Sequence, residues 1–95
     1  MSKLDEVKAK VAAGVYSAGE AIKIEFLDAN GITAYALGKA TNMPFSRFSH
    51  ILKGERRITL DTALKLESFF DLPAEYWLEL QNITDLRIAR AKTTE

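Results

Sequence analysis

The chain has 95 residues, of which 47% are hydrophobic and 27% are charged. This composition predicts one folded domain with a core of modest depth and argues against a disordered chain. Because the chain has no cysteine and a single histidine, disulfides, thiolate zinc sites, thiol nucleophiles and multi-histidine metal sites are excluded. No apolar run approaches the ~18 residues of a membrane span, and the N-terminus has no secretory pattern. We therefore expect a cytosolic protein that binds no cofactor and is not an enzyme.

The first sixteen residues carry apolar side chains at helical spacing, namely Leu4, Val7, Val11 and Val15. This period predicts a helical extension over residues 1–16, followed by a main domain over residues 17–95. Three arrangements of the extension are compatible with the pattern. It could be a helix packed on the core, a docking arm for a partner, or a segment that is ordered only in a dimer.

A second helix is predicted to start at Ser17, which can form a capping box with Glu20 three residues later. Ile22 and Phe26 are spaced as a core pair on one face of this helix, and Gly31 is placed to end it. The helix is therefore expected to belong to the core of the main domain.

The stretch from Ile32 to Gly54 has the pattern of two short helices joined by a sharp turn. Thr33 is a suitable N-cap for the first helix, and Asn42 tolerates the left-handed backbone that such a turn requires. Pro44 suits the start of the second helix, since its fixed φ fits a first turn. These signals predict two helices over residues 33–53.

In the second of these helices, Phe48, Ile51 and Leu52 share one face. Polar side chains point outward at Ser46, Arg47, Ser49, His50 and Lys53. Gly38 lies on the inner side of the first helix, where two crossing helices would touch. The spacing is that of a helix-turn-helix, whose second helix enters the DNA major groove. A plain αα-hairpin would have the same caps and the same period.

The basic residues are concentrated around this motif, although the net charge of the whole chain is zero. The segment from 38 to 58 carries a net charge of +4, so the remainder carries −4. The basic residues of the segment are Lys39, Arg47, Lys53, Arg56 and Arg57. A basic patch that coincides with a helix-turn-helix favours phosphate binding over an ordinary scatter of surface charge.

Two further helices are predicted after the basic loop. Thr59 is expected to cap the first and Asp71 to end it, with a core surface made of Leu60, Ala63, Leu64, Leu66, Phe69 and Phe70. The last helix should open at Pro73 and continue loosely to Ala91. So much apolar surface favours a dimerisation region over about residues 74–91 rather than a monomer with a tucked helix. The expected contacts are Leu80, Ile83, Leu86 and Ile88.

Several segments together resemble the HigA/VapI-like antitoxins, a branch of the lambda-repressor-like helix-turn-helix proteins of bacterial toxin–antitoxin pairs. The resemblance runs from Gly19 to Leu86, through GEAIKIEFL, GITAYALGKA, MPFSRFSHILKGERRIT, DTALKLESFF, EYWLELQ and DL. The chain departs from the family at Asp71, where glycine is usual. It also departs at Phe45 and His50, which occupy recognition-helix positions that are often polar or charged.

The predicted elements give an all-α fold of five helices, or six if the N-terminal extension is helical. The resemblance implies a lambda-repressor-like domain that forms a cytoplasmic homodimer, binds its own operator and neutralises a small ribonuclease toxin. A two-fold dimer would require a palindromic operator. In such a motif the outward helix face should read bases through Ser46, Arg47, Ser49 and His50. Phosphate contacts are expected from Thr33, Lys39, Lys53, Arg56 and Arg57. The negative charge outside the motif favours a basic toxin bound elsewhere, with apolar anchors at Leu4, Val7 and Val11. The alternatives are a stand-alone regulator without a toxin, and an interaction module that has lost DNA binding.

Overall fold

A computed structural model describes residues 2–93 and confirms the predicted all-α fold, since that range contains six α-helices and no strand. The helices are α1 (Lys3–Ala12), α2 (Ala18–Ala21), α3 (Ala34–Thr41), α4 (Phe45–Leu52), α5 (Leu60–Phe70) and α6 (Ala74–Thr93). Helix α2 continues as a π-helical segment, Ile22–Leu27, and a 3₁₀ turn, Asp28–Asn30. Met1, Thr94 and Glu95 lie outside the described residues. Met1 is the first residue of the predicted segment 1–16, and Glu95 is the last residue of the predicted segment 17–95. Within residues 2–93 no helix is both long enough and apolar enough to cross a membrane.

The helix ends form where the local chemistry predicts them. Ser17 and Glu20 form a reciprocal capping box, with the Ser17 backbone N–H donating to Glu20 Oε1 over 2.9 Å. Thr33 caps α3, because its hydroxyl oxygen accepts the Ala36 N–H over 3.0 Å. Asn42 and Asp71 end α3 and α5 in the left-handed region, with φ of 57° and 56°. Aspartate at position 71 therefore adopts the left-handed conformation, which its short polar side chain tolerates.

Trp77 is the centre of the core and has no exposed surface. Its ring lies 4.9 Å from that of Phe26, 5.2 Å from that of Tyr76 and 5.5 Å from that of Phe70, measured between centroids. These rings come from three different parts of the chain. Helix α6 therefore joins α5 and the π-helical segment into one core.

Helix α1 packs on that core, which is the first of the three arrangements predicted for the extension. Val7 and Val11 are 1% and 0% exposed. The Tyr76 hydroxyl donates to the Leu4 carbonyl oxygen over 3.1 Å, and burial raises the pKa of Tyr76 to about 12. Val15 does not share this packing, since it is 65% exposed beyond the end of α1. The predicted apolar stripe is therefore three residues long, not four.

The core face of α5 is narrower than predicted. Ala63 and Leu66 are fully buried, whereas Leu60 and Leu64 are 62% and 50% exposed. The assignment of these two leucines to the core was therefore wrong. A helix on the surface of a small domain buries one stripe, and residues 60 and 64 lie at the edge of it.

Candidate nucleic-acid interface

Helix α4 separates its apolar and polar side chains, as the sequence predicted. Its inner side lies in the core through Phe48, Ile51 and Leu52, none of which is more than 4% exposed. Its outer side presents Ser46, Arg47 and His50 to solvent, and Lys53 follows in the next turn. Ser49 is only half-buried, at the border between the two sides. The predicted base-reading residues thus share one surface, with Ser49 at its edge.

The turn between α3 and α4 is held by a close backbone approach. A Cβ atom on Gly38 would lie 2.8 Å from the carbonyl oxygen of Met43. The Met43 N–H donates back to the Gly38 carbonyl over 2.9 Å. Because the residue at position 38 has no side chain, the start of α4 can lie this close to α3.

A concave surface beside α4 brings together basic residues of the helix and of the loop that follows the helix. It is lined by Pro44, Ser46, Arg47, His50 and Arg56. The Arg47 guanidinium lies 3.9 Å from Asp61 Oδ2, and both side chains are about half exposed or more. An exposed ion pair of this kind is worth little, so Arg47 is free to exchange Asp61 for another acceptor.

The predicted phosphate-binding residues are all exposed, and Arg57 differs from the others in having an ion-pair partner. Lys39, Lys53 and Arg56 are all exposed, at the end of α3, the end of α4 and the following loop. Thr33 is exposed at the start of α3, where its hydroxyl oxygen caps the helix and its hydroxyl proton remains available to an acceptor.

Arg57 belongs to an intramolecular network. Its guanidinium pairs with both carboxylate oxygens of Asp85 on α6. The hydrogen bond from Arg57, followed by that from Gln81, holds the pKa of Asp85 below its usual value. The buried Gln81 also accepts the Ile58 N–H over 2.8 Å. Arg57 therefore fastens the loop after α4 to α6, and this structural contact competes with its predicted phosphate contact.

His50 also has a partner that the sequence analysis did not identify. Its Nδ1 atom lies 2.7 Å from Oε1 of Glu55. The hydrogen bond from His50 lowers the pKa of Glu55. The two residues are five positions apart and meet because Gly54, with φ of +80°, turns the chain back toward α4. Helical spacing alone gives no signal for this pair.

Two exposed aromatic residues of the motif were not among the predicted DNA contacts. Tyr35 and Phe45 are 63% and 52% exposed, and they line a groove together with Lys39 and Pro44. The sequence did contain a signal for these residues, namely a large apolar side chain on the outward face of a short helix. An apolar side chain at the start of a recognition helix suits contact with a thymine methyl group.

The structure corrects the predicted toxin anchors. Val7 and Val11 are enclosed by the chain's own core, and Leu4 is half-buried against it. A side chain that is already buried has no surface left for a second protein. The exposed face of α1 instead carries charged and small residues, so the predicted apolar docking surface is absent from the described part of this helix.

The structure also reduces the number of predicted dimer contacts on α6 that a second copy could reach. Leu80 is fully buried in the chain, so it cannot contact a second copy. Leu86 is 41% exposed and Ile83 is partly buried one turn earlier. Ile88 is 45% exposed but lies about 200° around the helix from Leu86, beside Gly54 and Asp85. Only Ile83 and Leu86 therefore share an accessible face.

The compact helical domain, the sharp turn after α3 and the polar outer face of α4 define a helix-turn-helix protein. The sequence profile described as Helix-turn-helix matches residues 23–77, which is more than half of the chain. The chain therefore belongs to this family, within the HigA/VapI-like branch of XRE-type antitoxins and repressors, which are not enzymes.

Named relatives and a solved structure support the assignment to this branch. Virulence-associated protein I of Dichelobacter nodosus is 41% identical over 71 residues, which are 75% of this chain and 66% of that protein. Antitoxin HigA-1 of Vibrio cholerae is 34% identical over 79 residues, covering 83% and 74% of the two chains. The structure of Pseudomonas aeruginosa antitoxin HigA with the higBA promoter superposes with a TM-score of 0.78 at 30% identity, covering 83% of this chain and 86% of that one.

Proposed function

We propose that this protein is a sequence-specific DNA-binding antitoxin that represses its own operon and neutralises a cognate ribonuclease toxin. The observation that carries the DNA-binding part is the outer face of α4, where Ser46, Arg47 and His50 are exposed beside Arg56. The similarity to an antitoxin whose structure was determined with promoter DNA supports the same conclusion. An electrophoretic mobility shift with the DNA upstream of the gene tests it directly, and no shift at low salt would favour an interaction module instead.

The proposed interface divides into base-reading and phosphate-binding groups. Arg47 is the proposed principal base contact, because a guanidinium can donate two hydrogen bonds to a guanine edge. Lys53 and Lys39 are the proposed phosphate contacts, since they flank the motif on either side of α4. Thr33 and Arg56 would complete the set at the start of α3 and in the loop.

We expect Arg47→Ala to lower operator affinity by about 1–3 kcal/mol and to relax the preference for one base pair. Lys53→Ala should weaken binding to all sequences alike and reduce the slope of log K against log salt by about one. Both variants should keep the wild-type melting temperature, because both side chains are exposed. Fluorescence anisotropy with operator and scrambled duplexes at several salt concentrations measures both effects. A uniform loss of affinity in both variants would contradict the base-reading assignment.

We also propose that two copies associate through α6, so that two recognition helices face a palindromic operator. Ile83 and Leu86 are the proposed contacts, as they are the predicted apolar residues that share an accessible face. Half-sites would then be separated by ~34–36 Å, or a multiple of that distance.

Leu86→Glu is expected to convert the dimer to a monomer while helicity is retained. Leu64→Glu is the matched control, since Leu64 is a comparably exposed leucine on α5 (50% against 41%). Sedimentation velocity at tens of micromolar distinguishes the two. A monomeric wild type would refute the dimer, and a monomer caused by Leu64→Glu alone would move the interface to α5.

The toxin part of the proposal is supported by the names of the relatives and by the negative charge outside the motif. The net charge of −4 outside residues 38–58 would accelerate encounter of that part of the chain with a basic toxin and set the toxin's orientation. Co-purification with the product of the adjacent gene tests this part. Failure of co-purification together with retained operator binding would indicate a stand-alone regulator.

A further inference from the structure

The contact between His50 and Glu55 determines which ring nitrogen of His50 is a hydrogen-bond donor and which is an acceptor. His50 Nδ1 and Glu55 Oε1 are 2.7 Å apart, and 51% of the histidine side chain and 56% of the glutamate side chain are exposed. An ionised carboxylate only accepts hydrogen bonds. The hydrogen atom between the two residues must therefore be on Nδ1.

A neutral imidazole has one N–H and one lone pair. If the hydrogen is on Nδ1, then Nε2 is an acceptor. Nε2 is at the tip of the ring, away from Glu55, and it has no hydrogen-bond partner among residues 2–93. In the neutral imidazole, the atom that this residue presents toward a DNA groove is therefore an acceptor.

We propose that Glu55 is a positioning residue that fixes the tautomer of His50, so that Nε2 selects a base with an exocyclic amine in the major groove. This inference rests on the proposed DNA-binding function. In the major groove, adenine N6 and cytosine N4 are donors, whereas guanine presents only acceptors. An acceptor at position 50 therefore favours adenine or cytosine and disfavours guanine.

Protonation reverses this preference, because both ring nitrogens of an imidazolium are donors. Imidazole side chains exchange these states between about pH 5 and 8. The charged groups around His50 are Glu55 and Lys53, together with Arg47 and Arg56, which line the same concave surface. On acidification, the base opposite His50 should thus shift from adenine or cytosine toward guanine, whose N7 and O6 accept hydrogen bonds.

The tautomer is tested first, on the whole protein without DNA. His50 is the only histidine in the chain, so a long-range ¹H–¹⁵N spectrum contains one imidazole. At pH 8 we expect a pyrrole-type Nδ1 and a pyridine-type Nε2. Glu55→Gln preserves the shape of the side chain, but its amide can donate or accept, so a mixture of tautomers is expected. A wild-type spectrum with the hydrogen on Nε2 would overturn the proposal.

The base preference is tested by selection from a randomised operator library at pH 8 and pH 6. Comparison of wild type with His50→Ala identifies the base pair that His50 contacts. There we expect about fivefold selection of adenine or cytosine over guanine at pH 8, the effect of one net hydrogen bond. That ratio should fall or invert at pH 6, and Glu55→Gln should reduce it at pH 8.

Glu75→Gln, on the exposed start of α6, is the control for net charge and should leave the ratio unchanged. The absence of any operator position that depends on His50, or a ratio that is independent of pH in the wild type, would overturn the base selection. No sequence-specific complex with any library member would instead refute the proposed DNA-binding function, while the spectrum still decides the tautomer.

Discussion

Gly19→Ala is expected to destabilise the domain by about 3 kcal/mol or more, although alanine is normally the better helix former. Gly19 lies where α2 crosses the end of α4. A Cβ atom there would lie 1.7 Å from the carbonyl oxygen of Ile51 and 2.8 Å from its carbonyl carbon. Both are backbone atoms, so no side-chain rotation relieves the overlap and the two helices must separate. For a domain whose total stability is about 5–15 kcal/mol, this loss is a large fraction.

The same substitution should also reduce DNA binding at temperatures where the domain remains folded. Ile51 is in the last turn of α4, so a displaced α2 moves the recognition helix relative to α3. Gly31→Asn is the matched control, because a Cβ atom at Gly31 meets no other group within 4 Å and asparagine tolerates its φ of +67°. Chemical denaturation should show a change of about 1 kcal/mol or less for this control. Wild-type stability in Gly19→Ala would mean that α2 and α4 do not touch.

The parts of this fold that could be predicted from the sequence are those set by local chemistry. Thr33 and Thr59 cap helices because a β-hydroxyl reaches a free N–H three residues later. Asn42 and Asp71 end helices because their short polar side chains tolerate positive φ. The two faces of α4 follow from helical period alone, since Phe48 and its apolar neighbours recur at three and four residues.

The remainder depends on contacts between residues that are distant in sequence. The helical period of the sequence predicted that Leu80 and Leu86 belong to an apolar surface. Only the packing of α1 and α5 against α6 decides that Leu80 is buried and that Leu86 is exposed. Arg57 is assigned to a different partner for the same reason, because Asp85 is 28 positions away. The π-helical segment Ile22–Leu27 has no local sequence signal that we identified.

Removal of residues 1–16 is expected to lower the melting temperature, the affinity for the proposed operator and the affinity for the proposed toxin together. The deletion takes away Val7 and Val11, each of which would contribute about 1.5–3 kcal/mol by burial. It also removes the Lys8–Glu79 ion pair of 3.0 Å and exposes the face of Tyr76 that α1 covers. Selective loss of toxin binding, with unchanged stability, would support the docking-arm arrangement of α1. The burial of these valines argues against that arrangement.

A pair of single substitutions separates packing from docking without the deletion. Val11→Ala should cost about 2 kcal/mol, from two lost methyl groups and the cavity they leave. Val15→Ala is the matched control and should change stability by less than about 0.5 kcal/mol, since Val15 is 65% exposed. If α1 is a part of the core, thermal denaturation will distinguish the two variants, and toxin affinity measured well below either melting temperature will not. If α1 were instead a docking arm whose valines become exposed, Val11→Ala would weaken toxin binding and leave the melting temperature unchanged. The two measurements on the same two proteins therefore give opposite patterns for the two arrangements.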